Sequence, residues 1–122
     1  MTRFNFIKLP VTALDAQAAF YTAAFGFSEQ QRFENDAFEE AILTQEEGGL
    51  MLCLMRLKHP PQNAAQTIGV LGFVAEDIDA AMATAIGAGA TLKQAVFEIA
   101  GGTKISLVDD PEGHEIEFVQ FA

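Results

Sequence analysis

The second half of this chain repeats the punctuation of the first. Val11-Thr12-Ala13-Leu14-Asp15-Ala16-Gln17-Ala18-Ala19 runs on to Phe25-Gly26-Phe27, and Glu76-Asp77-Ile78-Asp79-Ala80-Ala81-Met82-Ala83 runs on to Ala88-Gly89-Ala90. Leu14 and Ile78, Asp15 and Asp79, and Ala16 and Ala80 share one offset, and the glycines agree within a residue. Each copy reads as an apolar strand, a short polar turn, Asp at a helix start, an Ala-rich helix, and Gly near its end. An Asp carboxylate there can accept hydrogen bonds from first-turn amides, and Gly can take the left-handed conformation that stops a helix. A matched order of such signals makes each half one supersecondary unit.

Strand signals follow each helix. In the first half they lie near Phe27–Glu34, Ala37–Thr44 and Leu50–Arg56, the last two separated by the turn Gln45-Glu46-Glu47-Gly48-Gly49. In the second half they lie near Thr91–Ile99, Thr103–Val108 and Glu115–Phe121, with turns at Gly101-Gly102 and Asp109-Asp110-Pro111-Glu112-Gly113. Phe4–Leu9 and Ile68–Ala75 start the two halves. The expected fold is α+β: two βαβββ modules, about 1–57 and 67–122, giving a mixed sheet with helices on one face. Residues 58–66, with Pro60-Pro61, read as the linker within one domain of 1–122.

The charge balance narrows the partners. Seventeen acidic residues against seven basic give a net charge of −10, a surface that repels phosphate backbones and anionic lipid. No nucleic acid and no membrane is therefore expected as a partner, and the longest strongly apolar run, Leu50 to Met55, is too short to cross a bilayer. A single cysteine, Cys53, and opening residues without the apolar stretch of a signal peptide fit a reducing cytoplasm. Eleven Phe beside one Tyr and no Trp supply apolar surface that needs no hydrogen-bond partner, for a dry core, an apolar pocket or a subunit interface.

Asp15…Phe20-Tyr21…Phe25-Gly26-Phe27 early, and Asp110-Pro111-Glu112-Gly113-His114-Glu115-Ile116-Glu117-Phe118 late, resemble the vicinal oxygen chelate superfamily. This group includes glyoxalase I, extradiol dioxygenases and bleomycin-resistance proteins, and the resemblance covers essentially the whole chain. The resemblance implies that the two modules form a curled mixed sheet around a cleft with helices on the outer face, and in the metal-dependent members four strands each supply one inward ligand: a His, an acid, a His and a Glu. The resemblance places Phe6 and Val70 at the two His positions, Cys53 or Met51 on the fourth strand, and Glu117 at the last. One donor of four is not a metal site, since a divalent ion needs several converging donors. His59, in the linker, reads as a solvated loop residue, and His114, after the turn glycine, as a packing or local capping residue. No cofactor is expected, and no catalytic residue is assigned.

Side chains alternate along strands, so the same alignment predicts the cleft wall. Phe6 and Lys8, Met51 and Cys53, Val70, and Glu117 are the candidate ligand-binding residues, with Lys104 and Ser106 added from the seventh strand. A mostly apolar wall with few polar anchors suits a small molecule. Glu117, an acid among Phe, Val and Met, is costly unless a cation such as Lys8 or Lys104, or a ligand, pairs with it. The resemblance implies a metal-free binding protein close to the bleomycin-resistance branch, a homodimer with clefts formed between chains. A lyase, isomerase or dioxygenase similar to glyoxalase I is the other reading, and the residues leave turnover open.

Overall fold

The computed structural model describes residues 4–62 and 69–122. Ile68 and residues 63–66 of the expected linker lie outside the described residues. The chain divides into two compact units, Met1–Ile68 and Gly69–Ala122. Each carries the expected βαβββ order, with a four-stranded mixed sheet and one helix.

In the first unit the elements are β1 (Phe6–Pro10), α1 (Leu14–Phe25), β2 (Ser28–Glu34), β3 (Phe38–Thr44) and β4 (Met51–Leu57). The sheet order is β1-β4-β3-β2, with β1 parallel to β4 and the other pairs antiparallel. The parallel pair demands a crossover, and α1 is that crossover. Leu14, Gln17, Ala18 and Tyr21 are buried at helical spacing, so one stripe of α1 lies on β3 and β4. Beneath it Leu9, Ala41, Leu43 and Leu54 have no solvent exposure. Phe20, Tyr21, Phe25 and Phe27 form an aromatic cluster with centroid separations of 5.0–6.1 Å, within the range at which edge and offset contacts are attractive. Gly26 stops the helix in the left-handed region, at φ 73°.

Asp15 does not cap that helix. The cap position is Ala13, which makes no side-chain cap hydrogen bond. Asp15 sits in the first turn and accepts from Arg32 of β2 at 2.7 Å, while Arg32 also bonds Glu29 at 2.8 Å. The second copy does use an acid as a cap, two residues earlier than the repeat suggests: Asp77 accepts from the Ala80 amide at 3.1 Å.

The second unit holds β5 (Val70–Val74), α2 (Ile78–Gly87), β6 (Thr91–Glu98), β7 (Lys104–Asp109) and β8 (Glu115–Gln120). The order is β5-β8-β7-β6, again with one parallel pair. Ile78, Met82 and Ala85 are the buried stripe of α2, which lies on β6, β7 and β8. The β7–β8 hairpin is set by Asp110. Its carboxylate, 2% exposed, accepts from the Glu112 amide at 2.8 Å and the His114 amide at 3.0 Å. Its own amide donates to the His114 carbonyl at 2.8 Å, and Gly113 turns the chain at φ 91°. That is the physical content of the Asp-Pro-Glu-Gly-His motif.

Candidate functional site

Each sheet has one face under its helix and one turned away from it. In the first unit, register aligns Phe6 with Met51 and Thr44, Lys8 with Cys53 and Ile42, and Pro10 with Met55 and Glu40. Residues in register across a sheet share a face. Leu9, Leu54 and Ala41 fall on the buried helix side, so the other set forms the face away from the helix, the open face, on which Glu40, Thr44 and Cys53 are nevertheless buried. Four expected site residues, Phe6, Lys8, Met51 and Cys53, are therefore brought together on one surface. Phe6 is 52% exposed, Met51 and Met55 are half-buried, and Cys53 is buried.

The polar centre of this face is a pair that sequence reasoning missed. Lys8 Nζ lies 3.3 Å from Glu40 Oε2. Lys8 is on β1 and Glu40 on β3, so the pair bridges across the intervening β4 beside Cys53 and Met55. Lys8 Nζ is also 5.8 Å from the Phe6 ring centroid, within cation–π range. Burial, and then the charge on Glu40, push the Cys53 thiol above its ordinary value of 9.0, and Lys8 only partly offsets this. Cys53 is therefore a poor nucleophile at neutral pH.

In the second unit, Val70 aligns with Glu115 and Asp109, Gly72 with Glu117 and Leu107, and Val74 with Val119 and Ile105. Ile116, Phe118 and Val108 are buried on the helix side, so Val70 and Glu117 share the open face, as expected. The seventh strand is shifted by one residue from expectation. Lys104 pairs with Gln120 and Ser106 with Phe118, on the helix side, and Ser106 is completely buried. The open face receives Ile105, Leu107 and Asp109 instead. The cause is the Asp110 turn, which closes residue 110 on residue 114 and so sets 107 opposite 117.

Neither lysine expected to pair with Glu117 does so: Lys8 pairs with Glu40, and Lys104 lies on the opposite face of its sheet. Among the described residues no cation lies within ion-pair distance of Glu117, and its side chain is partly open to water. Its neighbour Gly72 has open space where a Cβ would stand, so one flank of the carboxylate is unobstructed. Lys93 pairs with Glu115 at 3.1 Å and Asp109 at 3.8 Å at one end of this face. A pocket of about 440 Å³ lies elsewhere, at the start of α1, lined by Asp15, Glu39 and Arg56 among others. Its charges are satisfied internally, Arg56 by Glu39 at 3.3 Å and Asp15 by Arg32.

The residues do not fit a metal. Phe6 and Val70 offer carbon where the resemblance expects imidazoles, Cys53 is a lone thiol, and Glu117 is one carboxylate. Among the described residues no group of three or more His, Cys, Asp or Glu could hold an ion. His59 is exposed. His114 is completely buried, and its two ring nitrogens find no hydrogen-bond partner among the described residues. No described helix is long and apolar enough to cross a membrane.

Comparison with known proteins places this geometry. A search of curated proteins returns no match. Among solved structures, a glyoxalase family protein from Bacillus cereus aligns at a TM-score of 0.81 and 20% identity, over 98% of this chain and 94% of that one. TioX from Micromonospora sp. ML1 aligns at 0.76 and 23% identity, over 99% of this chain and 100% of that one. Glyoxalase I from Zea mays aligns at 0.79 and 19% identity, over 98% of this chain but 45% of that one. At these identities the likeness is one of fold. The family model matches residues 3–118, almost the entire chain. The chain belongs to the Glyoxalase/Bleomycin resistance protein/Dioxygenase superfamily.

Proposed function

We propose that this protein binds a small, largely apolar or aromatic molecule without a metal. The observation that carries the reading is what stands at the family's donor positions. Phe6 and Val70 replace imidazoles, and both remain about half exposed, at 52% and 51%. Five of the eleven Phe, namely Phe4, Phe6, Phe33, Phe97 and Phe121, are more than 40% exposed. Folding this chain does not bury them, which leaves their rings available to a ligand or a partner. Part of this apolar surface belongs to the subunit contact of a homodimer with ligand clefts between chains. Light scattering at micromolar concentration should give a dimer mass, and a monomer mass would remove that element.

A thermal-shift screen of aromatic compounds tests binding, because a ligand that binds only the folded state raises the melting point. EDTA should leave the melting point unchanged, and protein purified without chelator should carry far less than one divalent ion per chain. Near one ion per chain, with a melting point that falls in EDTA, would sink the metal-free reading.

The open flank of Glu117 favours one alternative. A carboxylate partly open to water, with no cation within ion-pair distance among the described residues, can anchor a ligand's ammonium or hydroxyl, or remove a proton as a general base. Glu117→Gln keeps the shape and removes the charge. As an anchor, it should weaken an aromatic ammonium probe by about 1–3 kcal/mol with the fold intact. Turnover of a screened substrate that the Gln variant abolishes would instead establish a lyase or isomerase.

A further inference from the structure

We infer that Lys8, backed by Glu40, is a recognition point for an anionic oxygen on the aromatic or apolar ligand. The pair is asymmetric. The Glu40 side chain is 10% exposed and the Lys8 side chain 45%. The carboxylate is thus sunk into the sheet and the ammonium stands over it, so the open face presents the positive end of the pair. Lysine carries three N–H donors. One is directed to Glu40, which leaves two for a ligand on the side away from the carboxylate.

The surroundings select what such a ligand looks like. Phe6 stands beside the ammonium, 5.8 Å from Nζ to the ring centroid, and is half exposed. Met51 and Met55 are register neighbours on the same face. A flat apolar body can therefore lie on Phe6 and the two thioethers while a carboxylate or phenolate oxygen meets Lys8. Net charge repels anions at long range, but contact with a fixed ammonium is short-range and little screened. Glu40 keeps that ammonium in one place, so less side-chain freedom is lost when a ligand arrives. The thiol of Cys53, held protonated next to the pair, adds no competing negative charge. This assignment rests on the binding function proposed above and names its ligand class.

The test is calorimetric titration of the full chain with 2-naphthoate and 2-naphthamide, which differ in charge and hardly in shape. Wild type should bind naphthoate about tenfold or more tightly than naphthamide, as a charge-assisted hydrogen bond implies. Lys8→Met alone leaves Glu40 buried and unpaired, so the folded comparison is the double variant Lys8→Met/Glu40→Gln, checked by its melting point. It should bind the two probes alike. Equal affinities in wild type, or a preference that survives in the double variant, overturn the role of Lys8 and leave apolar binding standing. Failure of both probes to bind at millimolar concentration overturns this inference together with the binding function beneath it.

Discussion

Replacing Asp110 with Ala is expected to destabilise the second unit by about 3 kcal/mol, from two charge-assisted hydrogen bonds at about 1.5 kcal/mol or more each. The carboxylate is 2% exposed and accepts from the amides of Glu112 and His114. Without it those amides lose their acceptor in a turn that sets the β7–β8 register. Asp110→Asn retains one acceptor oxygen and should cost about half as much. Urea denaturation monitored by circular dichroism measures both. A loss below about 1 kcal/mol for the Ala variant would mean that the turn closes without the carboxylate, and that the register has another cause.

Lys8→Met should cost about 1–3 kcal/mol of stability and Lys8→Met/Glu40→Gln much less. Removing one partner of a fully buried pair costs about 3–5 kcal/mol because a charge is left stranded. Lys8 is 45% exposed, so water already weakens the pair and the lower range applies. A single variant as stable as the double at neutral pH would show that Glu40 reaches water and that the two side chains are not coupled.

These residues also mark where sequence reasoning stops. The eight strands and two helices lie within two residues of their expected starts, because each is bounded by Gly, Pro or Asp signals that act locally. The faces of β1, β4, β5 and β8 were legible too, since Leu9, Leu52, Leu54, Leu71, Ile116 and Phe118 alternate with the residues opposite them. β7 was not. Lys104 and Ser106 alternate with Ile105 and Leu107, and a polar residue is the natural choice for an open face. The hairpin overrides that preference: once Asp110 closes on His114, Leu107 stands opposite Glu117 whatever its polarity. Glu40 was missed for a related reason. Its partner Lys8 lies two strands away in the sheet, and no local pattern shows that β4 lies between them. The one available signal was an acid heading the apolar run Ala41-Ile42-Leu43. Asp15, read as a cap, shows the limit of the repeat, because Ala13 stands where the second copy has Asp77.

Binding of an apolar aromatic molecule to the open face of the first unit, as proposed, would be reported directly by the methionines. Met51 and Met55 are half-buried on the open face of the first unit, whereas Met82 is 7% exposed in the stripe of α2 that lies on its sheet. Methionine methyl groups labelled with carbon-13 should be followed by NMR during titration with 2-naphthoate. The account predicts saturable shifts of the Met51 and Met55 methyls with Met82 unmoved. Shifts confined to Met82, or none at Met51 and Met55 up to millimolar probe, would contradict it.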